Sequence, residues 1–172
     1  LLRDLGSAVS PFNAFLIAQG LETLSLRMER HVSNAVEVAQ WLETQPQVQR
    51  VHYAGIESSA WFERGRKYGP KGIGAIVSFE ISGGSEAGQG FVDALTLHSH
   101  VANLGDVRSL VIHPASTTHA QLTEEEQVAA GVSPGLVRLS VGIENIADII
   151  GDLKVGFESV ATSADVEFQG TR

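Results

Sequence analysis

The sequence predicts an α+β fold: a small, mostly antiparallel sheet covered by helices and preceded by one long helix. Three observations carry this. Apolar residues Leu21, Leu24, Met28, Val32, Ala35, Ala39 and Leu42 recur at three- and four-residue steps, the period of a helix with one buried stripe. Residues 136–141 alternate strictly, the period of a strand. Short strand-like runs also come in neighbouring pairs, 48–53 with 74–82 and 98–104 with 109–113, which favours antiparallel pairing.

Composition limits the rest. The chain has 172 residues, 43% of them apolar and 19% charged, which suits one folded domain with a real core. Net charge is -8, and the basic residues cluster only at Arg64, Arg66, Lys67 and Lys71. A phosphate backbone or an anionic membrane needs a basic face, so neither nucleic acid nor membrane is an expected partner. No apolar run is long enough to span a bilayer, and no signal peptide is recognisable. Cysteine is absent, which excludes disulfides and thiolate metal sites and fits a cytoplasmic location.

Along the chain, residues 1–9 have no clean period and form a lead-in. Ser10-Pro11 starts the long helix, because Ser caps free N–H groups and Pro is tolerated at the first helical position. The period carries it from Pro11 to Thr44, weakened at Gly20 and stopped by Pro46. Val48 to Tyr53 forms a strand, and 55–74 a loop with a short helix near 59–67. Gly74 to Ser82 forms a strong strand, and Gly83-Gly84-Ser85 a turn. Glu86 to Leu97 forms a helix with Phe91, Ala94 and Leu95 inward. Two short strands, 98–104 and 109–113, flank Gly105-Asp106. Thr123 and Glu126 make a capping box for a helix ending at Gly131. The alternating strand follows, and then a helix over 145–160 with Ile146, Ile149, Ile150, Leu153, Phe157 and Val160 as its stripe. Residues 162–172 form a flexible tail.

Several patterns suggest chemistry and most fail. Gly131-Val132-Ser133-Pro134-Gly135 matches G-x-S-x-G, but here a helix precedes and a strand follows, the reverse of a nucleophile elbow. Pro134 also lacks the N–H that the oxyanion hole requires. His98, His100, His113 and His119 lack the further ligands of a closed zinc site, so no metal is expected. Lys71-Gly72-Ile73-Gly74 enters a strand, not the helix that a phosphate loop needs. The polar loop His113-Pro114-Ala115-Ser116-Thr117-Thr118-His119 and the turn Asn103-Leu104-Gly105-Asp106 both sit at strand ends, where function concentrates. In the alternating strand, Val137, Leu139 and Val141 share one face and Leu136, Arg138 and Ser140 the other. Arg138 thus points away from the main apolar face, with a planar fork that matches a carboxylate. No nucleophile or general base is identifiable.

Taken together these segments resemble the Cys/Met-metabolism family of pyridoxal-phosphate (PLP) enzymes. The matching stretches run in family order: Ser10 to Phe15, Gly20 to Leu24, Arg27 to His31, Asn103 to Asp106, Ser109 to His119 and Gly135 to Glu144. Ser-Pro-Phe-Asn-Ala-Phe and Asn-Leu-Gly-Asp look like the O-acetylhomoserine sulfhydrylase branch. The cystathionine synthase and lyase branches more usually carry Ser-Leu-Gly-Gly at the second position.

The resemblance implies the C-terminal, substrate-binding domain of a fold-type I PLP enzyme. Residues 1–45 would be the lead-in and connecting helix, 46–161 the α+β domain and 162–172 the tail. It implies that Arg138 grips the substrate α-carboxylate, helped by the turn at Asn103. The loop bearing His113, Ser116, Thr117 and Thr118 would line the active-site side. The family's Schiff-base lysine, stacking aromatic and pyridine-pairing Asp are expected upstream, in a PLP domain that this chain lacks. Lys67, Lys71 and Lys154 sit in the wrong contexts, so the chain alone is expected to be inactive. O-acetylhomoserine with sulfide or a thiol are the implied substrates, the chain's own PLP domain a partner, and a homotetramer the implied assembly. A γ-synthase or γ-lyase domain, and a non-catalytic oligomerisation or binding module, are the competing readings.

Overall fold

The computed structural model describes residue 6 and residues 8–169, the side chains of 162–169 excepted. Helix α1, Pro11–Glu22, starts as expected: the Ser10 hydroxyl accepts the Asn13 N–H at 3.2 Å and Pro11 stands at the first position. The single helix expected to Thr44 is broken. Thr23 leaves helical geometry (φ -104, ψ 4), and α2, Leu24–Leu42, begins after it. The break follows Gly20, whose carbonyl is taken by the Arg27 guanidinium, so a side chain satisfies an acceptor near the interruption.

The expected stripe keeps its period but not its burial. Ala35, Ala39 and Leu42 are fully buried, whereas Leu21 is 61% and Met28 39% exposed. Only the second half of α2 lies over the sheet; α1 buries none of its residues and displays Phe12, Phe15, Leu16 and Ile17.

Five strands form one sheet, β1 Val48–His52, β2 Ile76–Ile81, β3 Ser99–His100, β4 Leu110–Ile112 and β5 Leu136–Ser140, in the order β1-β2-β5-β4-β3. All neighbours are antiparallel except β3 and β4. The strand expected over 98–104 shrinks to two residues. Val101 N–H bonds Ser99 and Asn103 N–H bonds Val101, both at 2.9 Å, and these tight turns draw the chain off the sheet edge.

Four further α-helices, α3 Phe62–Tyr68, α4 Gly84–Asp93, α5 Glu124–Ala129 and α6 Ile146–Gln169, and a single 3-10 turn at Pro114–Ser116 complete the described fold. The capping box at Thr123 and Glu126 forms as expected. The backbone of α6 continues past Val160. That helical backbone takes in 162–169 of the expected tail; the side chains of 162–169 and residues 170–172 lie outside the described residues, as do residues 1–5 and 7 of the lead-in.

Helices α2, α4 and α6 pack on one sheet face over Val77, Phe79, Ile81, Val137, Leu139 and Val141. Phe157 anchors this core, with its ring centroid 4.7 Å from Phe91, 6.0 Å from Phe79 and 5.9 Å from Trp41. Gly156 permits the approach, because a Cβ there would lie 2.7 Å from the Phe91 ring. Phe157→Ala is expected to destabilise the fold by about 3–5 kcal/mol, since the cluster cannot collapse around the void. Urea unfolding of the variant measures it.

Candidate functional site

The site is built on β5. Val137, Leu139 and Val141 are completely buried on the helix-covered face, so the alternation sends Arg138 and Ser140 to the other. Register places Arg138 between Ser78 of β2 and Ile112 of β4. The Arg138 side chain is half-buried and has no hydrogen-bond or ion-pair partner among the described residues. A partly desolvated guanidinium with its donors free is suited to an oxyanion, above all a planar carboxylate. Arg108 is engaged differently: it bonds Asp106 at 3.2 Å and holds that carboxyl below its ordinary range.

Ser140 links β5 to the Asn103–Asp106 turn. Its buried Oγ accepts the Gly105 N–H at 3.3 Å, two residues along the strand from Arg138. Gly105 has φ +77, a left-handed turn geometry that suits glycine. Asn103 is exposed, and its Oδ1 accepts the Leu104 N–H at 2.8 Å.

The His113 to His119 loop leaves β4 one residue past Ile112, the neighbour of Arg138. His113 itself turns inward and is fully buried. Its Nε2 reaches the Pro134 carbonyl at 2.7 Å, so Nε2 carries the proton and Nδ1 accepts the Ser116 hydroxyl at 2.8 Å. Thr117 Oγ1 donates to the His113 carbonyl at 2.7 Å, and exposed Thr118 pairs with His119 Nδ1 at 2.9 Å. The loop therefore stands beside Arg138 while His113 serves as its internal anchor. The Ser133 segment also connects helix to strand, α5 to β5, in the order expected.

One buried charge lies apart from β5. Asp152 of α6 accepts the Thr96 N–H (2.8 Å), the Thr96 hydroxyl (3.0 Å), the His98 N–H (3.0 Å) and His98 Nδ1 (2.8 Å). Burial alone would raise its pKa, but these donors outweigh burial and hold it at about 2. Burial lowers the His98 pKa, against the pull of Asp152 and Glu144, so His98 is the neutral donor. Both native values lie below the ordinary 6.5 and 3.8, so the folded protein binds fewer protons than the unfolded chain. The stabilisation is complete above pH 6.5. It falls below that as unfolded histidine protonates, and again between pH 3.8 and about 2 through Asp152. Asp152→Asn is expected to lower Tm at pH 7 and to flatten the lower limb, as followed by thermal melts across pH.

No group of three or more His, Asp or Glu residues among those described is arranged to hold a metal. Lys67, Lys71 and Lys154 are all exposed, and Lys67 lies 5.3 Å from the Tyr68 ring. Two surface cavities flank Tyr53, one toward Val32 and Phe62 and the other toward His52 and Trp61; Arg138 lines neither. No described helix is long and apolar enough to cross a membrane. Arg138, Asn103 and the His113 loop are candidates on sequence grounds, and the fold adds Ser140, whose place on the Arg138 face follows from the alternation and whose hydroxyl joins that strand to the Asn103 turn.

Comparison with known proteins gives consistent matches. The family model of Cys/Met metabolism PLP-dependent enzymes matches residues 1–158. The O-acetyl-L-homoserine sulfhydrylase of Leptospira meyeri is 54% identical over 160 residues, covering 92% of this chain and 36% of the relative. That of Corynebacterium glutamicum is 52% identical over 160 residues, covering 93% and 37%. A crystal structure from Campylobacter jejuni, assigned as an O-acetylhomoserine (thiol)-lyase and carrying pyridoxyl-lysine-5'-monophosphate, aligns with a TM-score of 0.83 at 45% identity. It matches over 92% of this chain and 38% of its own. The chain thus spans little more than a third of the length of these proteins.

Proposed function

The chain belongs to the Cys/Met metabolism PLP-dependent enzyme family, and from that membership we propose that it is the substrate-binding C-terminal domain of an O-acetylhomoserine sulfhydrylase. The fold is that of the C-terminal domain of fold-type I PLP enzymes. The intact enzyme replaces the acetate of O-acetylhomoserine with sulfide or a thiol, giving homocysteine or a methionine-type product. The names of relatives at 52–54% identity support this reaction. So does Asn103-Leu104-Gly105-Asp106, which departs from the Ser-Leu-Gly-Gly more usual in the synthase and lyase branches.

The observation that carries the reading is Arg138: half-buried, unpartnered among the described residues, and beside a turn tied to its own strand. Its guanidinium binds the substrate α-carboxylate through two parallel bonds. The turn at Asn103 closes on that carboxylate, and Ser116, Thr117 and Thr118 line the approach on a loop anchored by His113. PLP, bound elsewhere in the enzyme, supplies the electron sink. This chain's residues do not fit the cofactor's aldehyde, because Lys67, Lys71 and Lys154 all stand in open solvent. The chain orients substrate and, alone, does not catalyse. Residues 1–45 connect to the PLP domain, whose surface covers the apolar side chains of α1, and 46–161 form the substrate domain. The enzyme is a cytoplasmic homotetramer.

A product assay on the full-length enzyme tests the branch. O-acetylhomoserine with sulfide should yield homocysteine faster than O-acetylhomoserine with cysteine yields cystathionine. Methionine supplied alone should release little methanethiol. Preferred formation of cystathionine, or rapid methanethiol release, would assign the domain to the γ-synthase or γ-lyase branch.

A further inference from the structure

Segment 105–109 is fastened to β5 and the turn after it at successive points. Ser140 Oγ takes the Gly105 N–H at 3.3 Å, and the Ile143 N–H reaches the Val107 carbonyl at 2.9 Å. Glu144 then closes both donors of Ser109: Oε1 accepts its N–H at 2.6 Å and Oε2 its hydroxyl at 2.9 Å. The fully buried Ser109 Oγ in turn accepts the Gly142 N–H at 2.9 Å. Gly142 leaves no room for a side chain, since a Cβ would lie 2.2 Å from Glu144 Oε2 and 2.5 Å from Ser109 N. Helix α2 braces the opposite side. Buried Asn34 donates to the Gly142 and Glu144 carbonyls at 2.9 and 3.0 Å, and His31 Nδ1 to the Val141 carbonyl at 2.7 Å.

Residues 103–105 of the Asn103–Asp106 turn are exposed, and the Ser140 bond links the turn to the strand that carries Arg138. Resting on the reading that Arg138 holds the substrate carboxylate, we propose that Ser140 and Glu144 are positioning residues that fix the Asn103–Asp106 turn against Arg138. One strand and its following turn thus carry both the carboxylate grip and the pins that hold its second wall. Neither residue needs to touch the substrate. Each acts on where the 103–106 segment, with the exposed Asn103, stands relative to the guanidinium.

Steady-state kinetics of the full-length enzyme test this through a double-mutant cycle. Ser140→Ala should raise KM for O-acetylhomoserine about tenfold, the equivalent of one buried hydrogen bond, with kcat and the KM for sulfide each within about twofold. Once Arg138 is Ala, adding Ser140→Ala should change that KM less than about twofold, because both act on one carboxylate. Glu144→Gln, which keeps one acceptor oxygen for Ser109, should shift the same KM in the same direction by a smaller factor. It also serves as the test if Ser140→Ala does not fold. An unchanged O-acetylhomoserine KM in Ser140→Ala, or a tenfold effect that persists without Arg138, would overturn the positioning role. So would a parallel loss of Tm, kcat and both KM values. An Arg138→Ala enzyme with normal KM would sink the carboxylate reading itself, whatever Ser140 does.

Discussion

Arg138→Ala in the full-length enzyme is expected to raise KM for O-acetylhomoserine about a hundredfold while sparing KM for sulfide. A charge-assisted bidentate pair contributes about 2–3 kcal/mol, and each 1.4 kcal/mol is roughly a factor of ten. The setting favours the upper end. The side chain is half-buried and spends none of its donors on other described residues, so the substrate meets a cation already partly stripped of water. Arg138→Lys should recover only part of the loss, because an ammonium is a point charge on a flexible stem and cannot present two parallel donors. Sulfide has no carboxylate, which makes its KM an internal control. Initial-rate kinetics with each substrate varied in turn provide the measurement.

The second large effect is all-or-none. The 172-residue chain mixed with PLP should give no γ-replacement, and no borohydride-trapped adduct beyond that of an unstructured peptide with the same three lysines. Lys67 lies on α3, Lys71 opens a glycine-rich turn and Lys154 is on the exposed side of α6, all in solvent. A Schiff-base lysine requires an enclosed pocket that grips the rest of the cofactor, and neither cavity beside Tyr53 contains a lysine. Mass spectrometry after reduction separates the outcomes. A single lysine modified stoichiometrically would show that the chain builds its own cofactor site.

What sequence could reveal followed the range of the interaction concerned. The alternation of 136–141 assigned both faces of β5, because burial of Val137, Leu139 and Val141 depends only on a two-residue period. The Ser10 cap and the Thr123–Glu126 box were equally legible, being contained within four residues. The stripe from Leu21 to Leu42 has the helical period but not uniform burial, since a helix pattern does not say where the sheet beneath it ends. The break at Thr23 is accompanied by a side-chain contact from Arg27 back to the Gly20 carbonyl, and the shortening of β3 after His100 by local turns at a sheet edge.

The polar clamps were least visible. Ser109 and Glu144 are 35 residues apart, and His98 and Asp152 are 54 apart. No spacing rule joins such pairs. Arg138 shows both sides of this. Its face was readable from the alternation, but its freedom from any described partner is a property of the folded surroundings. The inward turn of His113 is a similar case: a polar loop residue in the sequence is a fully buried hinge post in the fold.

If Arg138 holds the substrate carboxylate, ligand binding must depend on that carboxylate. The most direct measurement compares equilibrium binding of homoserine and of its decarboxylated amine to the full-length PLP-loaded enzyme, with Arg138 intact and as Ala. The native enzyme is expected to prefer the amino acid by about a hundredfold, and Arg138→Ala to remove most of that preference. A variant that still prefers the carboxylate-bearing ligand by the native factor would contradict that role of Arg138.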